Sequence, residues 1–400
     1  MSRRAVITGM GIISALGEGA DAFWRGLIES RSGIGPIDRF DTEGLRNANA
    51  GQVRDFAFEP DDFGLDATPD LATRFLLIAA REAFAHARLT PGDSGTRLGA
   101  VLSTNFGGCN SWEDYVAGLL AGDVDAAAFD EFAFDSGLRH LARAFGVDGP
   151  CDLFSVACAS GTAALGAAAD VVCSGRGDVV VSAGYDALAP TPLSGLSVLR
   201  TLTDEMIRPF SADRSGTMFG GGSADLIAED LDHALARGAE PICEILGWHE
   251  NNNAYHLTAP DAGGAGMTRV VAGAIADAGI EPGAVDYVNA HGTGTRPHDP
   301  AEVEAIKNVL GDRAREIPVS SIKAAVGHMM GAAGSAEGIA TALAITEGVI
   351  PPTLNYREPD PECDLDHVPN ESRRGQVRVA LSISAGIGGN NSCVVLGEVR

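Results

Sequence analysis

Basic charge is scarce in this chain: 29 lysines and arginines stand against 54 aspartates and glutamates, a net charge of −25. Nucleic acid and anionic membrane surfaces both demand basic patches, so neither is expected as a partner. No apolar run approaches the roughly 20 residues needed to span a bilayer, which excludes membrane insertion through a helix. The start, Met1-Ser-Arg-Arg-Ala-Val-Ile-Thr-Gly-Met-Gly, could be misread as a basic signal peptide. Its short apolar stretch is broken by Gly9 and Gly11, and no small-residue cleavage site follows. It reads as a first strand running into a turn, and a cytoplasmic location follows. Seven cysteines form an odd set without CxxC pairs or zinc-type spacing. Neither a disulfide frame nor a metal site is expected, and most of these thiols read as small buried side chains. Low-complexity segments and short tandem repeats are also missing.

What is present is a long chain rich in small residues. Four hundred residues, 51 of them glycine and 45% hydrophobic, suit a large α/β core with tight turns. Strand-length apolar segments recur at Ala5–Thr8, Leu98–Leu102, Val179–Ala183, Val285–Asn289, Val377–Ser382 and Cys393–Leu396. Between them lie helical patterns at Thr73–Leu89, Gly161–Cys173, Arg269–Ala278 and Ala301–Leu310. That alternation predicts a layered α/β fold. A soft boundary near Ala239–Asn253, the least structured join, divides the chain into halves at residues 1–245 and 246–400. Leu354–Arg374, with three prolines and many charges, reads as a surface excursion.

Three residues carry the chemistry. Cys158 lies in Phe154-Ser-Val-Ala-Cys-Ala-Ser-Gly161, between strand-type residues and a strong helix former. At a helix N-terminus the dipole and free N–H groups favour a thiolate, and the same N–H groups can hold an oxyanion. The plain alternative is a buried packing cysteine, which the small-residue setting disfavours because it leaves room for a substrate. His291 follows a strand and opens the loop Asn289-Ala-His-Gly-Thr-Gly-Thr295. His328 opens Gly327-His-Met-Met-Gly-Ala-Ala-Gly334. A lone histidine is more often structural; two of them at element ends, each beside glycine, point to chemistry at strand termini. Lys323 is either an ordinary surface lysine or a group that orients a carboxylate, and Glu302 is the acid paired with it.

These segments resemble the β-ketoacyl-ACP synthases of the I/II type, condensing enzymes of the thiolase superfamily. The resemblance runs over essentially the whole length. It rests on Val6–Gly17, Ala157–Gly161, Arg208–Arg214, Asn289–Thr295, Ser321–His328, Gly331–Gly334 and Gly386–Asn391. It implies a thiolase-like five-layered αβαβα fold made of two similar halves, assembled as a dimer. Cys158 would accept an acyl chain from an acyl carrier protein (ACP). His291 and His328 would assist decarboxylation of malonyl-ACP and stabilise the enolate. Lys323 and Glu302 would form a supporting ion pair, and the backbone N–H groups of Cys158 and Ile387 an oxyanion hole. No metal or dissociable cofactor is implied, because the acyl groups travel on the phosphopantetheine of the carrier. The partners implied are the carrier and a second ketosynthase-like subunit, identical or not.

Three departures qualify the resemblance. Where the family carries a gating phenylalanine, this chain has Ile387, with Ala385 two residues earlier. Such a gate would admit bulkier, more rigid or unsaturated chains, which tilts the expectation toward a specialised pathway. The expected docking face is acidic at Asp61–Asp70 and not basic at Thr203–Met206; Arg74, Arg200 and Arg208 are the few basic candidates, and Arg208 reads as structural. Gly220-Gly-Gly222 replaces a pattern with an acidic middle residue. Two rival functions remain on the same scaffold. One is transfer of the Cys158-bound acyl group to an alcohol or amine; the other is a non-catalytic partner subunit, which retention of all three residues disfavours.

Overall fold

The computed structural model describes residues 3–92 and 95–400. Ten strands of an eleven-stranded sheet, the eleventh being the two residues Gly17–Glu18 paired with β1, fall in two sets: β1 (Ala5–Ser14), β2 (Leu98–Ser103), β3 (Cys151–Phe154), β4 (Val179–Asp186) and β5 (Gly222–Asp230), then β6 (Cys243–Asn252), β7 (Tyr287–Asn289), β8 (Val319–Ser320), β9 (Val379–Ala385) and β10 (Asn390–Gly397). In the first set β1 pairs antiparallel with β5, β5 antiparallel with β4, β4 parallel with β2, and β2 parallel with β3. The second set repeats this pattern as β6, β10, β9, β7 and β8. A short antiparallel pairing of β1 with β6 joins the two sets.

Six helices complete the layers: α1 (Leu71–Ala87), α2 (Ser136–Phe145), α3 (Ser160–Cys173), α4 (Ala265–Asp277), α5 (His298–Leu310) and α6 (Ala333–Glu347). On one outer face α1 packs on β1, β5 and β4, with α2 against it; on the other, α4 packs on β6 and β10, with α5 against it. Between the two strand sets lie α3 and α6, which touch both. The result is helix–sheet–helix–sheet–helix, as the family resemblance implies.

Burial on every side explains the composition of α3 and α6. Eleven of the fourteen residues of α3 and twelve of the fifteen of α6 are buried, so neither helix has room for a polar stripe. The two helices meet at their first turns through glycine. A Cβ on Gly334 would sit 2.3 Å from the backbone N of Thr162, and one on Gly161 would sit 2.6 Å from that of Ser335. Only glycine permits that approach.

Several sequence expectations change. β1 does not turn after Thr8; it runs on to Ser14 with an irregular register between Ile7 and Gly9. Gly9 and Gly11 are there because α1 crosses the strand closely: a Cβ on Gly11 would lie 2.0 Å from the Ala79 carbonyl oxygen. The supposed unstructured join at Ala239–Asn253 holds the ten-residue strand β6, central in the sheet. Its polar end, Trp248–Asn252, hid the apolar alternation. β5 was missed for a similar reason, since it buries Asp225 and Glu229. Leu354–Arg374 is not merely a surface excursion. Leu354, Cys363, His367 and Val368 are buried, Asp360 pairs with Arg214, and the His367 ring stacks on Phe210 at 4.1 Å. No helix among the described residues is long and apolar enough to cross a membrane.

Candidate active site

Cys158 and His328 occupy equivalent places in the two strand sets. Cys158 lies between β3 and α3; His328 lies between β8 and α6. Because α3 and α6 cross at their first turns, both residues arrive at one place. His291, at the end of β7, joins them. All three line one open cleft of about 670 Å³, together with Ala385 and Ile387.

The turn that presents Cys158 is under backbone strain. Ala157 has φ +54, a left-handed conformation that costs a non-glycine residue about 1–2 kcal/mol. Ser160 holds the turn by donating to the Ala157 carbonyl at 2.6 Å and accepting from the Val156 N–H at 2.8 Å. Gly386 lies against it: a Cβ there would come within 3.0 Å of the Cys158 backbone N. The Ile387 backbone N–H acts on the thiol in the sense that favours its anion. Both proposed oxyanion donors therefore flank the sulfur.

Burial pushes the Cys158 thiol up to about 11, against the opposing pull of the Lys323 charge and the Ile387 N–H. The sequence expectation of a lowered pKa at the helix N-terminus is thus reversed, because desolvation of the anion outweighs the Lys323 charge and the Ile387 N–H. At rest the sulfur is a protonated thiol.

The two histidines are neutral and their tautomers are fixed. Burial, with the positive charge of Lys323, holds both pKa values well below the usual imidazole range. The Met330 N–H reaches Nδ1 of His328 at 3.2 Å, so that nitrogen accepts and Nε2 carries the proton. Nε2 has no partner among the described residues. Lys323 Nζ lies 3.2 Å from Nδ1 of His291 and assigns its proton to Nε2 in the same way. The rings stand nearly perpendicular, 5.4 Å apart. The His328 backbone is pinned on both sides, by its N–H to the Met218 carbonyl at 2.7 Å and by the Gly220 N–H to its carbonyl at 2.9 Å. A Cβ on Gly220 would lie 2.2 Å from the Val326 carbonyl oxygen, so glycine there serves this close docking.

The ion pair expected between Lys323 and Glu302 does not form. Lys323, 1% exposed, pairs with Glu337 on α6. Glu302 instead accepts from the backbone N–H groups of His291 at 2.6 Å and Gly292 at 2.8 Å, ordering the histidine loop. Burial raises it to about 8. Lys323 is one of only two lysines in the chain, the other being Lys307. A guanidinium is bulkier and presents a planar fork, which suits a single buried pair beneath an imidazole less well than a compact ammonium.

Sequence reasoning missed Glu337, Asp186 and Asp299. Glu337 had a signal, as the lone acid in the apolar stretch Ala333–Ile345. Asp186, at the end of β4, accepts from Thr104, from the backbone of Asn105 and Phe106, and from Gly331 at 2.7 Å. It thereby ties the loop after β2 to the turn that carries His328. Asp299 accepts from the N–H groups of Phe210 and Gly294. No spacing in the sequence reveals those two.

The beta-ketoacyl synthase N-terminal domain matches residues 2–234 and the corresponding C-terminal domain residues 242–357. The chain belongs to the beta-ketoacyl synthases. It is a condensing acyltransferase of fatty-acid or polyketide biosynthesis. This synthase is 39% identical to the 3-oxoacyl-[acyl-carrier-protein] synthase 2 of Synechocystis sp., with 97% of this chain and 96% of that one covered. It superposes on the ishigamide ketosynthase/chain length factor with a TM-score of 0.93 at 35% identity, covering both chains fully. On AntDE:AntF, a type II polyketide acyl-carrier protein in complex with its ketosynthase, the TM-score is 0.92 at 32% identity, again with full coverage of both.

On the synthase surface, Arg208 is buried and held by Glu205 and Asp213, a structural arrangement. Arg200 is exposed and Arg74 half-buried, while Asp61 and Asp62, in the segment before α1, are exposed. Asp70 is buried and caps α1 through the Ala72 N–H.

Proposed function

We propose that this synthase condenses an acyl group carried on Cys158 with malonyl-ACP, releasing carbon dioxide. The observation that carries the reading is the pair of neutral imidazoles, each with an Nε2–H donor available beside the Cys158 turn. The Cys158 sulfur attacks the acyl-ACP thioester, the carbonyl oxygen resting on the N–H groups of Cys158 and Ile387; the carrier leaves with the thiol proton. Malonyl-ACP then binds with its thioester oxygen toward His291 and His328. Its C–C bond to the carboxylate breaks, carbon dioxide leaves, and the electron pair becomes an enolate held by the two Nε2–H groups. The enolate carbon attacks the Cys158 thioester; the new C–C bond forms, the C–S bond breaks, and the thiolate takes a proton from solvent to replace the one lost to the carrier. Neutral donors suit this task, because each meets charge only as it develops. The reaction as written needs no metal or redox cofactor; the acyl groups arrive on the phosphopantetheine of the carrier.

We infer a ketosynthase-like partner subunit, in a homodimer or a heterodimer. The edge strand β3 supports this: among the described residues it pairs only with β2, and Cys151 and Asp152 are exposed on it. A carrier protein and such a subunit appear with the two related ketosynthase structures. The half-exposed Ile387 and the small Ala385 favour a specialised chain over a saturated housekeeping one. The cytoplasm is the proposed location, consistent with seven free cysteines.

The test is to incubate the protein with acyl-ACP and carbon-labelled malonyl-ACP beside Cys158→Ala, following carbon dioxide and ACP-bound products by mass spectrometry. A β-ketoacyl-ACP that requires Cys158 supports the reading. Acylated Cys158 that passes its acyl group to an alcohol or amine, without carbon dioxide release, rejects it.

A further inference from the structure

A third imidazole faces the same cleft. His298, the first residue of α5, lines it beside Thr295 and Pro297. Its ring stands edge-on to His291 with centroids 4.9 Å apart. Neither of its ring nitrogens has a hydrogen-bond partner among the described residues. Glu302 Oε2 is the nearest acid, but 3.8 Å from Nδ1 is beyond hydrogen-bond range. The Glu302 oxygens are in any case occupied by the His291 and Gly292 N–H groups. Two unsatisfied nitrogens on one largely buried side chain are costly in the free protein, and a ligand that supplies both partners removes that cost.

Depth and charge narrow the ligand. His291 and His328 are 2% exposed, whereas the His298 side chain is 12% exposed and follows the exposed Arg296 and Pro297. His298 therefore sits one step outward from the reacting centre. Burial and the Lys323 charge pull its pKa down to about 3, so the ring is neutral and offers one donor and one acceptor. A carboxylate presents acceptors only and would take the ring N–H while leaving the second, accepting nitrogen unpaired. A secondary amide presents one N–H and one C=O. On a carrier thioester, the first polar group outward from the sulfur is such an amide.

We propose that His298 is a binding residue for the phosphopantetheine arm, hydrogen-bonding its amide nearest the sulfur as the thioester enters. This rests on the condensing reading above, which places the thioester at Cys158 and His291. The side chain thus couples carrier recognition to the site floor without taking part in bond making.

The experiment measures acylation of Cys158 by mass spectrometry, without malonyl-ACP, for wild type, His298→Ala and His298→Asn. Three donors carry the same acyl group: acyl-ACP, the N-acetylcysteamine thioester, which keeps the amide, and the S-ethyl thioester, which lacks it. His298→Ala is expected to lower kcat/KM about three- to tenfold for the two amide-bearing donors, mainly through KM, and to leave the ethyl thioester unchanged. His298→Asn, which retains a donor and an acceptor, should recover part of the loss. Thermal melts confirm that the variants are folded. Equal losses for all three donors, or none for any, overturn the assignment, as does a loss confined to the malonyl-dependent step. Wild type that condenses normally while the variants match it overturns the His298 assignment alone. Wild type inert toward every donor overturns the condensing reading and this inference with it.

Discussion

The backbone N–H of Met330 donates to Nδ1 of His328 over 3.2 Å, and this one contact places the imidazole proton on Nε2. Lys323 does the same for His291 from a side chain rather than the backbone. Two donors so fixed need no reorganisation when an enolate oxygen appears. His291→Ala and His328→Ala are each expected to slow carbon dioxide release by about 10²–10³-fold, the loss seen when one oxyanion donor is removed. Cys158 acylation should fall far less. Separate measurement of the two half-reactions checks this; equal losses in both would contradict it.

The Lys323–Glu337 pair is buried and holds the proton arrangement of His291. Glu337→Ala leaves an unpaired ammonium and should cost about 3–5 kcal/mol in stability. The double variant Lys323→Met/Glu337→Leu should recover much of that stability, since apolar groups of similar volume replace buried pairs well. It should not recover condensation, because nothing then donates to Nδ1 of His291. Denaturant melts paired with the condensation assay decide; a double variant that is both stable and fully active would show that Lys323 does not act through His291.

Glu302 predicts a pH dependence. Burial raises its folded pKa from the ordinary 4.5 to about 8, so the folded state holds a proton that the unfolded chain has released. Its contribution to stability is fully present below pH 4.5 and is lost as pH rises through 8. Asp225, raised well above its ordinary value by burial, shifts in the same direction. The buried histidines, with folded values below 6.5, add stability until the unfolded imidazoles have lost their protons, about one pH unit above 6.5. Tm should therefore fall between about pH 7.5 and 8.5, and Glu302→Gln should flatten part of that slope. Melting curves across this range check it; a Tm that rises with pH would refute the assignment.

Ile387 and Ala385 leave the cleft without aromatic rings in its glycine-rich wall. Ile387→Phe should retain condensation of short saturated chains while lowering kcat/KM for bulky or polyunsaturated chains by roughly 10–200-fold, the range that shape discrimination in an apolar pocket supports. Competition between acyl-ACP donors in one reaction provides the measurement. An unchanged donor profile would reduce the Phe-to-Ile difference to a packing substitution.

By itself, the sequence determined the layered fold class and singled out Cys158, His291 and His328, which the fold brings to one cleft. Strand and helix periods are local, and Cys158, His291 and His328 each stand in a small-residue frame whose spacing marks an element end. It also marked α3 as a helix through the pattern Gly161–Cys173. Only tertiary structure decided which groups meet. Glu337 rather than Glu302 pairs with Lys323, because the crossing of α3 and α6 at Gly161 and Gly334 carries α6 beneath His291, a contact that chain distance does not encode. The same burial raised the Cys158 thiol that a helix N-terminus alone would have lowered. His298 gave no signal as one more polar residue at a helix start; its meaning lies in two nitrogens left without partners, and that is a property of packing.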